Sequence, residues 1–143
     1  MIWQGRNPAQ LEQAAQCLAR GQLLGFPTET VYGLGADATQ DEAVRGIFAA
    51  KGRPLDHPLI VHIAQAEDAS EFADPIPDFA RVLMAAHWPG PLTLILPRRA
   101  HVAEVCAACQ PSIGLRCPSH PVALSLLRAA RRLGDRKSTR LNS

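Results

Sequence analysis

Residues 59–64, Leu-Ile-Val-His-Ile-Ala, constrain the fold more than any other stretch of the chain. The run has the length of a strand, is rich in branched side chains and carries apolar residues on both faces, so it reads as a buried strand in a sheet covered on both sides. Two similar runs follow, LTLIL at 92–96 with Pro97 behind it and SIGLRC at 112–117. An earlier one, 22–26, ends at Pro27, which has no N–H to give a ladder. Helical patterns lie between these strands. Asn7 and Pro8 form a start signal, Leu11, Ala14, Ala15 and Leu18 make one apolar face, and Gly21 is a stop, which predicts a helix over 8–20. Thr39 and Glu42 are spaced as a capping box before a helix with Val44, Ile47 and Phe48 on its buried stripe, closed by Gly52 and Pro54.

A short helix and turn are expected within 65–76, and a helix over 78–88 with Phe79, Val82, Leu83 and Ala86 on its apolar face. Pro89-Gly90-Pro91 stops that helix. Another helix is expected near 101–109, and a last one after Pro118, His120 and Pro121, bearing Val122, Leu124, Leu127 and Leu133. Alternation of strands and helices at this spacing predicts an α/β fold with a mixed or largely parallel twisted sheet. At 143 residues and 47% hydrophobic composition the chain has material for one core and one domain.

Several function classes are disfavoured by the totals. The apolar runs fall far short of the roughly 20 residues of a membrane span, and the N-terminal MIWQGRNPAQ lacks the features of a secretory signal. A cytoplasmic protein with no membrane role is expected. Four cysteines are then reduced thiols rather than a disulfide framework. The formal charge is +2, but without the last nine residues, DRKSTRLNS, twelve basic residues face twelve acidic ones, so charge gives no case for nucleic acid.

Chemistry-bearing residues collect where strands and helices end. These are the polar loop 28–32 within FPTETVYGLG, Lys51 with Arg53, His62 and Arg116. In open α/β sheets ligands bind at the carboxyl ends of strands. Lys51, Arg53 and Arg116 could neutralise a polyphosphate or clamp a carboxylate; solvated charges at element ends are the alternative. A GxxxxGK phosphate loop, a GxSxG elbow and an HExxH helix are all missing, and YGLGAD lacks the third glycine of a dinucleotide fingerprint. Cys106 and Cys109 with Cys117 and His120 make a conceivable zinc set, but the interval between the pairs is shorter than a usual finger or ribbon loop, and no zinc is expected.

The strings PTETVYGLG, AKGRPLDHPLIVHI, HWPGPLT and IGLRCPSHP, in that order, resemble the YrdC and Sua5 family of threonylcarbamoyl-AMP synthases over about residues 8–134. The resemblance implies a YrdC-like twisted open mixed sheet flanked by helices. It implies a nucleotidyltransferase that joins L-threonine, bicarbonate and ATP, with Mg²⁺, into threonylcarbamoyl-AMP and pyrophosphate. The product serves t6A37 modification of tRNA through other tRNA-modifying proteins. By the same resemblance Lys51 and Arg53 are catalytic and sit at the ATP phosphates, Thr30, His62 and Arg116 bind threonine, and His57 and Ser112 line the nucleotide. His57 stands where the family often has asparagine. The rival reading from another class is a double-stranded RNA or tRNA-binding module of the same fold without turnover.

The resemblance stops near Gly134. A serine-x-asparagine motif expected beyond the last helix is missing, and DRKSTRLNS looks like an in-frame translation of a sequencing-library adapter. The expected division is an incomplete, C-terminally truncated YrdC-like domain over 1–134 and a non-native tail over 135–143. Such a fragment would leave part of the sheet or its cover unpaired and would be poorly stable and weakly active or inactive.

Overall fold

A computed structural model describes residues 8–27, 32–52, 58–132 and 138–142. Its elements run α1 (Pro8–Ala19), β1 (Leu24–Pro27), β2 (Tyr32–Ala36), α2 (Asp41–Lys51), β3 (Ile60–Ile63), a 3-10 turn (Ala66–Glu71), α3 (Asp78–His87), β4 (Leu94–Pro97), β5 (Ser112–Arg116), α4 (Pro121–Arg132) and β6 (Ser138–Asn142). One sheet takes the strands in the order β1-β2-β6-β3-β5-β4. It is mixed, as expected, but not largely parallel: β3 with β5 is the parallel pair, and the other neighbours are antiparallel. A hairpin causes part of this, because residues 32–36, which take in the last residue of the expected polar loop, return as β2 against β1 with Tyr32 opposite Pro27. The loop shrinks to 28–31, which lies outside the described residues.

Alternation along the strands builds the core. Val61, Ile63, Leu94, Leu96, Ile113 and Leu115 point to one face, where they meet Val44, Ile47 and Phe48 of α2, Phe72, and Ala80 and Met84 of α3. A second cluster joins Ala14, Ala15 and Leu18 of α1 to Ala123, Leu126 and Ala129 of α4. Small residues on both helices allow a close approach. The opposite face of β3 meets the expectation of a sheet covered on both sides only in part: His62 is buried there at 8%, whereas Ile60 is 38% exposed.

Local signals fared unevenly. Gly21 (φ 80°) and Gly52 (φ 65°) end their helices in the left-handed region, as expected of glycine past a last turn. The capping box is not formed. Gln40 is the residue before α2, and the buried Asp37 takes the Thr39 hydroxyl at 2.6 Å and the Thr39 N–H at 2.9 Å, so Thr39 is spent on a turn one step earlier. Glu42 pairs with Arg45 on the exposed side of the helix instead. Helix α3 turns a different stripe inward. Phe79 and Val82 are 64% and 66% exposed, while Ala80 and Met84 are buried and Leu83, from the expected stripe, packs partly buried against the core beside them, because the small Ala80 lets the backbone approach the sheet. The expected helix at 101–109 is a series of turns with left-handed backbone at His101, Ala103, Ala108 and Cys109. At α4, His120 serves as cap: its Nδ1 accepts the Val122 N–H at 3.1 Å, with Pro121 in the first helical position.

Two thiols fasten the ends of β3. Cys106 Sγ donates to Leu59 O at 3.8 Å, and Cys117 Sγ donates to Ala64 O at 3.5 Å. Those carbonyls are five residues apart on an extended chain, roughly 16 Å, so the two thiols face different neighbourhoods, and Cys109 is exposed. Burial pushes the Cys117 thiol up from 9.0 to about 11; nearby Arg128 opposes the shift, and Asp68 and Glu67 add to it. A thiol with a raised folded pKa holds its proton longer in the folded than in the unfolded chain. Its stabilising contribution is therefore complete below about pH 9 and is lost as pH rises towards about 11. Denaturant titrations at pH 8 and 11 should show this loss as a term on the order of 1–2 kcal/mol that Cys117→Ala removes. An identical pH slope in both proteins would refute the assignment.

Candidate functional site

The sheet face turned away from the α2 and α3 core gathers the functional candidates that the structure describes. On β3 the buried Val61 and Ile63 alternate with Ile60 and His62. On β5 the buried Ile113 and Leu115 alternate with Ser112, Gly114 and Arg116. Register then fixes the rows: His62 stands beside Arg116, Ile60 beside Gly114 and Gly114 beside Ile95, and Ser112 beside Pro97. Adjacent strands lie about 4.8 Å apart, so an imidazole and a guanidinium are cross-strand neighbours with a hydroxyl further along the same strand. Three of the expected site residues, His62, Arg116 and Ser112, thus share one surface.

Arg116 is held by the turn after α3. Its Nε donates to Gly90 O at 3.1 Å, and Gly90 N–H donates to Cys117 O at 2.8 Å, so the turn and the end of β5 are tied in both directions. Trp88 Nε1 donates to Leu92 O at 2.8 Å and closes the same turn. Glycine is required at its apex, because a Cβ on Gly90 would lie 2.3 Å from His87 O. The Pro-Gly-Pro triplet, read as a helix stop, therefore also orients the guanidinium. His62 is only 8% exposed and is one of few buried polar side chains among the described residues.

The remaining candidates stand differently. Lys51 is the last residue of α2, just before the left-handed Gly52, which puts it at a helix end as expected; its side chain lies outside the described residues. Thr30, Arg53 and His57 also lie outside them. Among the described residues no group of three or more His, Cys, Asp or Glu side chains gathers to hold a metal ion. A guanidinium, an imidazole and a hydroxyl on one face suit the recognition of a carboxylate and its polar neighbours. Gly114, Ile60 and Ile95 were missed by the sequence reading. A glycine in the middle of a strand pattern was the signal available for them, since it marks a bulge or a close approach.

Comparison with known proteins follows the same lines. A family model named Sua5/YciO/YrdC, described as telomere recombination, matches residues 16–133. The threonylcarbamoyl-AMP synthase of Bacillus subtilis (strain 168) is 48% identical over 124 residues, 85% of this chain and 36% of the relative. That of Pyrococcus abyssi (strain GE5 / Orsay) is 47% identical over 119 residues, 83% of this chain and 35% of the relative. The crystal structure of P. abyssi Sua5 complexed with L-threonine matches the fold with a TM-score of 0.89 at 41% identity, covering 96% of this chain and 39% of that one. The chain spans little more than a third of the length of these relatives.

Proposed function

Because the chain belongs to the Sua5/YciO/YrdC family, we propose that it carries the threonine-binding and nucleotide-binding wall of an L-threonylcarbamoyladenylate synthase. The pairing of His62 with Arg116 in one register row, with Arg116 oriented by Gly90 O, carries this reading. In the reaction the threonine amine and bicarbonate form a carbamate with loss of water. A carbamate oxygen then attacks the α-phosphorus of ATP, and pyrophosphate leaves. Every bond made or broken belongs to a substrate, so the work of the protein is positioning and charge neutralisation.

In this assignment Arg116 takes the threonine carboxylate through its planar fork. Thr30 and His62 meet the polar groups of the amino acid, Lys51 and Arg53 the phosphates, and His57 and Ser112 the nucleotide. Magnesium, a hard cation satisfied by phosphate oxygens and water, would travel with ATP. The product would be handed to tRNA-modifying proteins for adenosine 37, in the cytoplasm. Residues 1–134 form the family domain in this reading, and 135–143 are a tail of foreign origin. A genomic frame continuing beyond Gly134 into a serine-x-asparagine segment would support that division; a native stop after Ser143 would refute it.

The test is direct. Calorimetry on the 143-residue chain should show L-threonine binding, and mass spectrometry should find threonylcarbamoyl-AMP only when threonine, bicarbonate and ATP are all supplied, at a rate well below that of a full-length relative. Absence of threonine binding overturns the functional reading. A rate equal to that of a full-length relative overturns the incomplete-domain assignment.

A further inference from the structure

Arg116 presents its fork to a carboxylate only as steadily as its own anchor is held, and that anchor, Gly90 O, sits in a turn with few bonds of its own. Residues 89–91 read Pro-Gly-Pro. Neither proline has an N–H, so Gly90 supplies the one main-chain donor of the triplet, and that donor goes to Cys117 O at 2.8 Å. The brace across the triplet is a side chain. Trp88 Nε1 donates to Leu92 O at 2.8 Å, from the residue before the triplet to the residue after it. Both ends of the brace are seated: the Trp88 N–H closes α3 on Met84 O at 3.0 Å, and the side chains of Trp88 and Leu92 pack partly buried against the main core. Trp88 has no part in the assignments above.

From this brace a chain of bonds reaches both members of the polar pair. Gly90 O accepts from Arg116 Nε at 3.1 Å, the Gly90 N–H holds the Cys117 carbonyl, and the Cys117 thiol donates to Ala64 O, two residues beyond His62 on the parallel neighbour strand. We propose that Trp88 is a positioning residue for carboxylate recognition: its indole N–H fixes the turn so that Gly90 O takes Nε of Arg116 and the fork meets the amino-acid carboxylate in one orientation. The assignment rests on the threonine-binding reading and adds to it a residue that acts through Arg116 rather than on the ligand. A loosened Gly90 O would leave the charge of Arg116 in place and spread its direction. Attraction to an anion would survive, while the two parallel hydrogen bonds that suit a carboxylate would weaken.

Calorimetric titration of the 143-residue chain with L-threonine and with L-threoninamide, in which a neutral amide replaces the carboxylate, tests the proposal. The ratio of the two affinities reads the carboxylate alone, and a general loss of folded protein leaves it unmoved. Trp88→Phe keeps an aromatic ring and removes the N–H donor. Replacing Trp88 by benzothienylalanine keeps the full shape and puts sulfur where the N–H was, so the fold is retained even if phenylalanine leaves a cavity. Both should lower the ratio by about three- to tenfold. In an Arg116→Lys background, which lacks Nε, neither should lower it further, because the effect travels through the bond from Arg116 to Gly90. An unchanged ratio in the benzothienylalanine protein overturns the positioning role and leaves the threonine-binding reading standing. An equal fall in the Arg116→Lys background means that Trp88 acts by another route and also overturns it. Threonine bound no more tightly than threoninamide by the unsubstituted chain overturns the carboxylate assignment of Arg116 itself, and this proposal with it.

Discussion

Arg116→Ala is expected to weaken L-threonine binding by about 2–5 kcal/mol, roughly 30- to 5,000-fold in Kd. The size of the effect follows from position. Arg116 is half-buried on the sheet face beside His62, and its guanidinium is already oriented through Nε and Gly90 O, so little ordering remains to be done when a carboxylate arrives. Arg116→Lys retains the charge but loses both Nε and the fork, and should recover only part of the affinity. The cost to the fold is smaller. Leaving Gly90 O without this donor is worth about 1 kcal/mol, a modest shift in melting temperature for a chain of this size. Calorimetric titration and thermal melts on the three proteins separate the two effects. Threonine binding within about threefold of the unsubstituted protein in Arg116→Ala would remove Arg116 from the site.

Removing residues 135–143 should have the largest effect on stability. Among the described residues β6 is the strand that joins the β1–β2 hairpin to β3, β5 and β4, pairing antiparallel with both β2 and β3. Without it those two strands stand two spacings apart, roughly 10 Å, too far to bond to each other. Two rows of backbone donors and acceptors lose their partners. The expected loss is on the order of 5 kcal/mol, a large part of what a domain of this size has, and the bared edges invite self-association. Circular dichroism melts and sedimentation velocity on 1–134 and 1–143 provide the comparison. A shorter chain that stays monomeric and melts within a few degrees of the longer one would mean that β6 adds nothing. Replacing Ser138–Asn142 by an unrelated sequence of good strand propensity should preserve the fold, because the seat is made by main-chain pairing.

That strand shows where reading the sequence ends. A tail that resembles adapter translation has no place in a fold argued from side-chain patterns, and the expectation was an unpaired region of sheet. The structure pairs the edges of β2 and β3 with the tail itself, since backbone groups bond without regard to the residues that carry them. Helix α3 teaches a related lesson. Phe79, Val82, Leu83 and Ala86 form the more apolar stripe, but a helix over a sheet also settles by how closely it can approach, so of these four Leu83 packs against the core, beside Ala80 and Met84, and Phe79 and Val82 face outward. The missed turn region at 101–109 has apolar content without the backbone of a helix; Arg98 Nε bonding to Gln110 O at 2.8 Å and Leu59 N–H bonding to Cys106 O at 2.8 Å fold it back on the sheet. Neither bond has a signature in local sequence.

Much of the rest was legible from local rules. Helix α1 with its glycine stop, the Val44, Ile47 and Phe48 stripe of α2, and the strands around 60–63, 94–97 and 112–116 follow from period, proline and glycine, because each depends on residues a few positions apart. The family likewise rests on local strings, PTETVYGLG, AKGRPLDHPLIVHI, HWPGPLT and IGLRCPSHP. Tertiary structure alone decided that His62 and Arg116 are neighbours, although 54 positions separate them in the chain, and that Gly90 holds one of them. It alone decided that the outer face of β3 buries His62 while Ile60, and Ile95 on β4, stay exposed on either side of Gly114. Register across a sheet is set by how distant strands pair and by which face the helices cover. The sequence determined the elements and the family; the pairing of those elements brought His62, Ser112 and Arg116, far apart along the chain, onto one sheet face.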